Sequence, residues 1–270
     1  MTEMPNKVSK KDAVFNIERS KKSNIAAFTL IEMLVVISII GILLYLSLPA
    51  LKNMSKSDAM GIANRQLMDD IARARRLAIT HRTTVYMVFV PSNITSLVSL
   101  PPELQDRYER LAMSGYGMFA FRSAGEQPGK IRPRYFREWR DLPEGIFIAP
   151  WKFTTGLHNI QHPYIKVISN FLYRPFPFPD TNYPVINLPY FAFNHLGQLA
   201  HFQPNGDQYE NEYNEIIPLT RGSMLFSTNS AGVRNMDFQE TPPGNSTNNF
   251  NWIVVDWLTG RCRIERPEIF

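Results

Sequence analysis

The sequence predicts an α+β protein in which one long N-terminal helix precedes a domain rich in β-strands. Three observations lead to this prediction. A single apolar run covers residues 28–48, and a helical repeat of apolar residues continues beyond it to about residue 80. After residue 90, short runs of β-branched and aromatic residues alternate with turns, and this part holds 18 of the 20 prolines. Prolines at this density indicate long loops between short strands rather than a second helical domain.

The first 27 residues are polar and basic, with six Lys and Arg against three acids. A basic lead before an apolar run is typical of a secretory signal. This run is longer than the usual signal core and no small-residue cleavage site follows Leu48, so ordinary signal cleavage is not predicted. More Lys and Arg precede the run than follow it, which favours a cytoplasmic N-terminus and an extracytoplasmic body.

The apolar run is long enough to cross a bilayer. Its 21 residues, 28–48, form a helix of about 31 Å at about 1.5 Å per residue. Glu32 is its only charged side chain. A carboxylate in such a segment is costly unless it has a partner, so Glu32 is predicted to be functional. A plain signal anchor is the alternative interpretation of the run, but such anchors rarely carry a glutamate near their start.

The start of the run resembles a known processing signal. The residues that carry the resemblance are Ala27-Phe28-Thr29-Leu30-Ile31-Glu32. They are similar to the class III signal of type IV prepilins and type II secretion pseudopilins. The resemblance implies that a prepilin peptidase cuts between Ala27 and Phe28 and methylates the new amino group of Phe28. Gly41 and Pro49 also match a glycine and a helix-kinking proline of that family, whereas Ala27 stands where glycine is usual.

Cleavage before Phe28 would create the partner that Glu32 needs. The new α-amino group, with a reference pKa of about 7.7–8.0, is largely protonated at neutral pH. It can pair with Glu32 of its own helix or with Glu32 of a neighbouring helix shifted along the axis, and the second pairing would fix the register of an assembly. The resemblance implies three kinds of partner: the prepilin peptidase, other pilins or pseudopilins, and an inner-membrane assembly platform.

The helix is predicted to continue to residue 80 as an amphipathic second half, 51–80. Its predicted buried face consists of Met54, Ile62, Leu67, Ile71, Ala74 and Ala78, and its predicted polar face of Asp69, Asp70, Arg73 and Arg76. The junction with the first strand resembles that of the GspH/FimT-type minor pseudopilins. The matching residues are Ala74, Arg75, Ala78, Ile79 and Val85.

The remainder, residues 81–270, is predicted to be a β-rich head. The predicted strands are 82–90, 145–149, 189–193, 198–202, 216–219, 252–257 and 261–264, with Pro218 on an edge strand. The segment 171–191, rich in Pro and aromatic residues, is interpreted as a loop that caps the sheet or as a recognition surface. The polar segment 241–251 is predicted to be a mobile loop.

Two basic clusters raise the alternative of nucleic-acid binding. Residues 130–140 interleave bases with aromatics, as a single-strand platform might, although a solvated loop is the preferred interpretation. Arg261 and Arg263 follow a turn and share one face of a strand. A FimT-type pilin of DNA uptake has a similar Gly-Arg-x-Arg ending. However, residues 77–270 carry 17 bases and 17 acids, so the head has no overall positive charge.

No catalytic or metal-binding motif is found, so no enzyme activity, cofactor or metal is predicted. His158 and His162 have i, i+4 spacing but lack the glutamate of a zinc-protease motif. His195 and His201 flank a predicted hairpin without completing a ligand set. The acids Asp207, Glu210, Glu212 and Glu215 do not have EF-hand spacing. A membrane-anchored hydrolase would need a nucleophile and a base, for which no motif is present.

Together these features predict a minor pilin or pseudopilin with three segments. They are a leader, 1–27; a helix, 28–80, whose membrane span is about 28–50; and a β-rich head, 81–270. The predicted location is the inner membrane with the N-terminus in the cytoplasm. DNA uptake through Arg261 and Arg263 is the alternative function.

Overall fold

The computed structural model describes residues 29–97, 101–122, 132–154, 170–202, 208–209, 213–228, 234–248 and 250–266. For residues 46–58, 102, 208–209, 228 and 234–235 it describes the backbone alone. The predicted leader and the predicted cleavage site, Ala27 and Phe28, lie outside these residues. The chain divides into two compact units, Met1–Leu51 and Lys52–Phe270.

The described residues confirm the α+β class. The helices are α1 (Leu30–Thr80), α2 (Ile94–Leu97) and α3 (Pro102–Arg110), and Pro150–Phe153 forms a 3-10 turn. The strands are β1 (Val85–Phe89), β2 (Tyr116–Ala120), β3 (Arg134–Tyr135), β4 (Ile146–Ile148), β5 (Leu172–Pro177), β6 (Val185–Phe193), β7 (Leu199–Phe202), β8 (Gln208–Tyr209), β9 (Glu215–Thr228), β10 (Arg234–Glu240), β11 (Asn251–Val255) and β12 (Cys262–Glu265).

The strands form two antiparallel sheets. The first has the order β3-β2-β1-β6-β7-β8, with β5 also paired to β6. The second has the order β10-β9-β11-β12, with β4 also paired to β9. Pro218 therefore lies in a strand with neighbours on both sides, and its predicted edge position is wrong. The proline is tolerated because β4 pairs with β9 only from Leu219 onward, so the missing N–H lies at the end of that ladder.

The second half of α1 lies in the core of the head. Its buried face consists of Met60, Ala63, Leu67, Ile71, Ala74 and Ala78, which pack against the inner faces of both sheets. Three of the six are alanines, which let the helix approach the strands closely. The predicted face was partly wrong, because Ile62 is exposed and Asp70 is buried. Met54 lies outside the residues whose side chains are described.

Polar contacts fix the rotation of this half of α1. The side-chain amides of Asn64 and Asn251 of β11 bond to each other in both directions, at 3.1 and 2.6 Å. On another side of the helix, the Tyr116 hydroxyl of β2 donates to Asp70 at 2.7 Å and Arg140 donates to the same carboxylate at 2.9 Å. Burial of Asp70 is therefore compensated by hydrogen bonds and a cation.

A second core covers the outer face of the first sheet. It contains Phe176 and Phe178, which are fully buried, together with Tyr108 of α3 and Trp139. The segment 171–191 forms β5, β6 and the loop between them, and its aromatic rings at 171, 176 and 178 are buried. Most of the segment therefore forms strands of the first sheet rather than a loop that caps it, and the burial of these three rings is the part of the cap interpretation that the structure shares.

In the segment 241–251, predicted to be a mobile loop, hydrogen bonds join Asn245 and Ser246 to the rest of the head. Asn245 donates to the Thr220 hydroxyl at 3.3 Å, and the backbone N–H of Ser246 donates to the Glu240 carboxylate at 3.0 Å. Trp151 donates its indole N–H to Ser246 Oγ at 3.2 Å. Asn245 and Ser246 are buried, because the aromatic residues beside them supply a surface that the sequence pattern did not reveal.

Candidate functional site

The N-terminal end of α1 is closed by a capping box. The backbone N–H and the hydroxyl of Thr29 both donate to Oε2 of Glu32, at 2.9 and 2.8 Å. The backbone N–H of Glu32 donates back to Thr29 Oγ1 at 3.3 Å. This reciprocal pattern satisfies polar groups that the first turn of a helix otherwise leaves open. Sequence reasoning singled out Glu32 for its charge and missed its role in starting the helix, although the T-x-x-E spacing was visible.

The part of α1 that follows the capping box is apolar on every side. Thirteen large hydrophobic side chains between Leu30 and Tyr45 are exposed. The Ser38 hydroxyl donates to the Leu34 carbonyl at 2.8 Å and so adds no unpaired polar group. A helix that is apolar all round is normally buried in a membrane or in a protein interior. Exposed apolar surface of this extent marks an interaction site.

The other two predicted assembly residues, Gly41 and Pro49, lie within α1. A Cβ placed on Gly41 would meet no other atom of the chain within 4 Å, so no contact within the chain requires glycine there. Among the described residues, none of the helices combines the length and the apolar character required to cross a membrane.

Arg75 of α1 joins two turns of the head. Its Nε donates to the Gly197 carbonyl at 3.1 Å and to the Thr259 carbonyl at 2.7 Å. Gly197 belongs to the turn between β6 and β7, and Thr259 to the turn between β11 and β12. Gly260, at φ +63°, lies so close to Gly197 that a Cβ would overlap the Gly197 carbonyl oxygen. Arg75 and Gly260 thus hold the two turns together beside the end of α1.

The two arginines of the DNA-binding alternative lie on the second of these turns and on β12. Both side chains are exposed. Arg263 donates to the Glu265 carboxylate through Nε at 2.8 Å and through Nη2 at 2.6 Å. Its charge is therefore partly neutralised by a neighbour on its own strand. Arg261 donates its backbone N–H to Thr259 Oγ1 at 3.3 Å, which helps to shape the turn.

Asp256 begins the same turn. Partial burial by itself raises its pKa. The hydrogen bonds from Thr259, from the Leu258 backbone and the charge of Arg263 outweigh that effect and hold the pKa of Asp256 below its usual value. Thr259 supplies two of these bonds, from its N–H and its hydroxyl, both at 2.7 Å. The turn is thus locally rigid and carries a stable negative charge at its start.

The basic and aromatic segment 130–140 does not form a single-strand platform in the residues described, 132–140. Arg137 and Arg140 both face the buried carboxylate of Asp70, at 3.8 and 2.9 Å. The indole of Trp139 is buried and donates to the Pro179 carbonyl at 2.7 Å. Tyr135 donates its hydroxyl to the Pro177 carbonyl at 2.7 Å. Trp139, Tyr135 and Arg140 are thus engaged by the fold, whereas Arg132 and Arg134 are exposed.

A buried charged cluster was not anticipated from the sequence. The Lys152 ammonium of the 3-10 turn forms an ion pair with the Glu215 carboxylate of β9, and both side chains are almost completely buried. Burial lowers the pKa of Lys152 and raises the pKa of Glu215, while each charge opposes the shift of the other. Burial and the nearby Lys152 charge lower the pKa of His201 to about 4. An acid and a histidine so held are features of a protein interior rather than of an accessible catalytic site.

The other titratable candidates are not assembled into a site. His195 lies on an exposed turn, whereas His201 is buried in β7. His158, His162, Asp207, Glu210 and Glu212 lie outside the described residues. Within the described part of the chain, no group of three or more His, Cys, Asp and Glu side chains is arranged to hold a metal ion.

Comparison with protein families gave one match. A family model described as the prokaryotic N-terminal methylation motif matches residues 22–44. The matched range contains Ala27, Phe28, Glu32 and Gly41. Searches of curated proteins and of solved structures gave no significant match.

Proposed function

We propose that this chain is a minor pilin or pseudopilin subunit that is cut between Ala27 and Phe28 and N-methylated on Phe28. The methylation motif at residues 22–44 supports a type IV pilin-like protein, a structural subunit rather than an enzyme, and implies processing by a prepilin peptidase and assembly with other pilins. In this proposal residues 28–50 anchor the unassembled subunit in the inner membrane with its N-terminus in the cytoplasm, and the head, 81–270, is extracytoplasmic.

One observation carries the proposal. The matched motif coincides with a helix start that is apolar on all sides and holds one carboxylate in a capping box. A helix that is apolar on all sides requires apolar surroundings. In this proposal the membrane supplies them before assembly, and the helices of other subunits supply them afterwards. Glu32 is compatible with both environments because its hydrogen bonds to Thr29 satisfy part of the carboxylate.

The capping box also bears on how Glu32 pairs with an amine. Both hydrogen bonds from Thr29 go to Oε2. In the proposed mechanism, Oε1 of Glu32 accepts from the methylated amino group of Phe28 on a neighbouring subunit while Oε2 keeps the helix start closed. A buried cation and a buried carboxylate that meet in this way offset much of each other's desolvation cost. Register along the filament then follows from one polar pair in an apolar interface.

The finer assignment, a GspH/FimT-type subunit of a type II secretion pseudopilus or a related pilus, is a proposal that rests on the head. Its support is the helix-to-strand junction around Arg75, one of the residues that resemble the GspH/FimT type. Arg75 has a structural role there, because its side chain bonds to the carbonyls of two turns.

DNA uptake is the less well supported alternative. Arg263 is paired with Glu265, Trp139 is buried while Tyr135 and Phe136 are half-buried, and the head has no overall positive charge. No observation in the described residues favours a membrane-anchored hydrolase.

The test of the proposed function is the chemical state of the mature N-terminus. Protein from cells with an active prepilin peptidase should give an N-terminal peptide that begins with N-methyl-Phe28. Protein from peptidase-deficient cells should retain Met1. Ala27→Leu should block the cut, whereas the matched change Ala26→Leu, one residue away, should leave it. Recovery of intact Met1 from peptidase-active cells would refute the proposal.

A further inference from the structure

Strand β9 has one edge that, along its C-terminal half, no described strand pairs with. On this side β4 pairs with β9 at only three positions, from Leu219 to Arg221. The chain enters β4 through a turn at Gly145, where φ is +80°. The Gly145 carbonyl accepts from the N–H of Gly222 at 3.0 Å, and this is the last bond of that ladder. Beyond Gly222, β9 pairs with β10 alone among the described residues.

Strand geometry fixes which backbone groups lie on the open edge. The N–H and C=O groups of successive residues point to alternate sides of a strand. The N–H of Gly222 points to β4, whereas the carbonyl of Arg221 accepts from the N–H of Thr241 on the β10 side, at 2.8 Å. The N–H and C=O groups of Met224 and Phe226 therefore point to the β4 side. They present two donors and two acceptors, the pattern with which an added strand pairs.

A groove of about 950 Å³ lies along this edge. Met224 and Phe226 line it, together with Ile62 of α1 and Phe147 of β4. Phe226 and Ile62 are 48 and 45% exposed, so apolar surface is accessible beside the open backbone groups. Leu225 is 50% exposed but lies outside the groove lining. Open backbone groups next to apolar side chains are typical of a site for an extended peptide.

The groove also has a weak charge preference. The exposed acids Asp141 and Glu144 line it, and Arg110 is the cation among the described lining residues. With two acids and one base counted, the lining has a small excess of negative charge. Both acids precede Gly145 closely in the chain, where the open edge begins. A Lys or Arg of a bound segment is therefore favoured at this end over an acid.

We propose that the open edge of β9, at Met224 and Phe226, binds an extended segment of another polypeptide, which pairs antiparallel with β9 in line with β4. The direction follows β4 and β10, which both pair antiparallel with β9. A second copy of this chain would bring the same excess of negative charge to the edge, so a different chain fits better. The proposal goes beyond the proposed function, because it names a recognition site of the head that does not depend on cleavage before Phe28.

The pairing defines the sequence pattern that this site accepts. Directly opposite residues of an antiparallel pair have their side chains on one face, and at hydrogen-bonded positions they donate to each other. The segment residues opposite Met224 and Phe226 therefore donate their N–H groups to β9 and turn their side chains to the same face as these two residues. The N–H of the residue between them points away from β9. Because the segment runs opposite to β9, its C-terminal end lies beside Gly145 and the two acids.

A matched set of peptides tests the pairing. The probe is a fluorophore-labelled, C-terminally amidated pentapeptide that alternates threonine and valine and ends in lysine, and its binding to the detergent-solubilised full chain is measured by fluorescence anisotropy. We expect saturable binding with a Kd below about 1 mM. N-methylation of both valines should weaken binding by about tenfold or more, because the N–H groups that face β9 are lost. N-methylation of the middle threonine and the lysine adds the same apolar surface and should leave binding within about twofold.

A pair of variants tests the position of the site. Phe226→Lys should weaken binding of the unmethylated peptide severalfold. Leu225→Lys is the matched control, because Leu225 is equally exposed on the same strand but lies outside the groove, and it should leave binding unchanged. Equal losses from the two substitutions would overturn the proposed site.

Other outcomes also decide against the proposal. It is overturned if the unmethylated peptide does not bind saturably, if the two methylated peptides bind equally, or if the valine-methylated peptide binds better. A dimer of the peptide-free chain that Phe226→Lys abolishes would assign the edge to a second copy and would also overturn it. Protein with an intact Met1 and protein that begins at Phe28 should bind the peptide alike, so a negative result here leaves the proposed function standing.

Discussion

Glu32 has two functions that substitution can separate. It closes the first turn of α1 through Thr29, and its charge is proposed to attract an amine from a neighbour. Glu32→Gln retains an acceptor for the capping box but loses the charge. Glu32→Val loses both. We expect both variants to insert into the membrane and both to fall by about tenfold or more in sheared filaments, because the charge pair is lost in each.

Immunoblots of sheared filaments and of membranes, compared for the two variants, measure this effect. If Glu32→Gln assembles as well as the unaltered chain and Glu32→Val does not, then helix capping is the function of Glu32 and the amine pairing is wrong. Thr29→Ser, which preserves the capping hydroxyl, serves as the control that should assemble normally.

His201 makes the stability of the head depend on pH. Its pKa is about 4 in the folded chain, against an ordinary value of about 6.5. The unfolded chain therefore binds a proton more readily between these two values. The stability that neutral His201 supports is complete above about pH 6.5 and is lost as the pH falls towards 4, by up to about 3 kcal/mol.

Lys152 and Glu215 lie in the same buried cluster, and burial lowers the pKa of Lys152 and raises the pKa of Glu215. The contribution of His201 is therefore measured as the difference in stability between the unaltered chain and a variant without the histidine. The free energy of unfolding of the detergent-solubilised chain is measured by urea titration from about pH 7 to about pH 4.5, with and without His201→Gln. The unaltered chain should lose stability more steeply on acidification. Parallel curves for the two proteins would show that His201 does not titrate in this range.

At the level of elements, the sequence predicted the extent of α1 closely, 28–80 against Leu30–Thr80, but it did not predict that Asp70 is buried. The apolar repeat located the packed face at Leu67, Ile71, Ala74 and Ala78. It misplaced Asp70, because the groups that compensate this carboxylate, Tyr116 and Arg140, are distant in sequence. Periodicity describes one element alone, whereas the burial of a charge depends on partners from other elements.

The strands show a similar division. The predicted strands 145–149, 189–193, 198–202 and 252–257 correspond to β4, β6, β7 and β11, and β4, β6 and β11 are rich in β-branched and aromatic residues. The missed β2, Tyr116–Ala120, includes Gly117 and follows Gly115. Glycine weakens the propensity signal, and at Gly117 its lack of a side chain leaves room for the Trp139 ring, which lies 3.3 Å from the position that a Cβ would occupy. The absence of a side chain at Gly117 thus explains both the weak strand propensity and the close packing of the Trp139 ring.

The paired turns beside α1 supply a prediction at this scale. Gly260 and Gly145 both have positive φ, +63° and +80°. A Cβ on Gly145 would lie 3.7 Å from the nearest oxygen, an ordinary contact, while a Cβ on Gly260 would overlap the Gly197 carbonyl. Gly145→Ala should therefore cost about 1–2 kcal/mol for backbone strain, and Gly260→Ala about 2–5 kcal/mol for strain and overlap together.

Urea unfolding of the two variants measures the difference. Equal destabilisation by the two substitutions would mean that the turns separate without cost, and that Arg75 does not hold them together.

At the scale of the whole molecule, the question is where the folded head begins. The predicted boundary lies after residue 80, whereas the compact unit of the structure begins at Lys52. The difference is the half of α1 that buries six apolar residues against both sheets. At about 25 cal/mol per Å² of apolar surface, the loss of these residues and of the surface they cover is on the order of 10 kcal/mol. That is comparable with the whole stability of a domain, about 5–15 kcal/mol.

Two fragments therefore test this boundary. A fragment of residues 52–270 should unfold cooperatively on heating, and a fragment of residues 82–270 should not, because its exposed sheet faces have no helix to cover them. Thermal unfolding followed by near-UV circular dichroism distinguishes the two. Cooperative unfolding of the shorter fragment would show that the strands form a domain without α1. If instead only the longer fragment folds, the packed half of α1 is an integral part of the head, and the head cannot move independently of it.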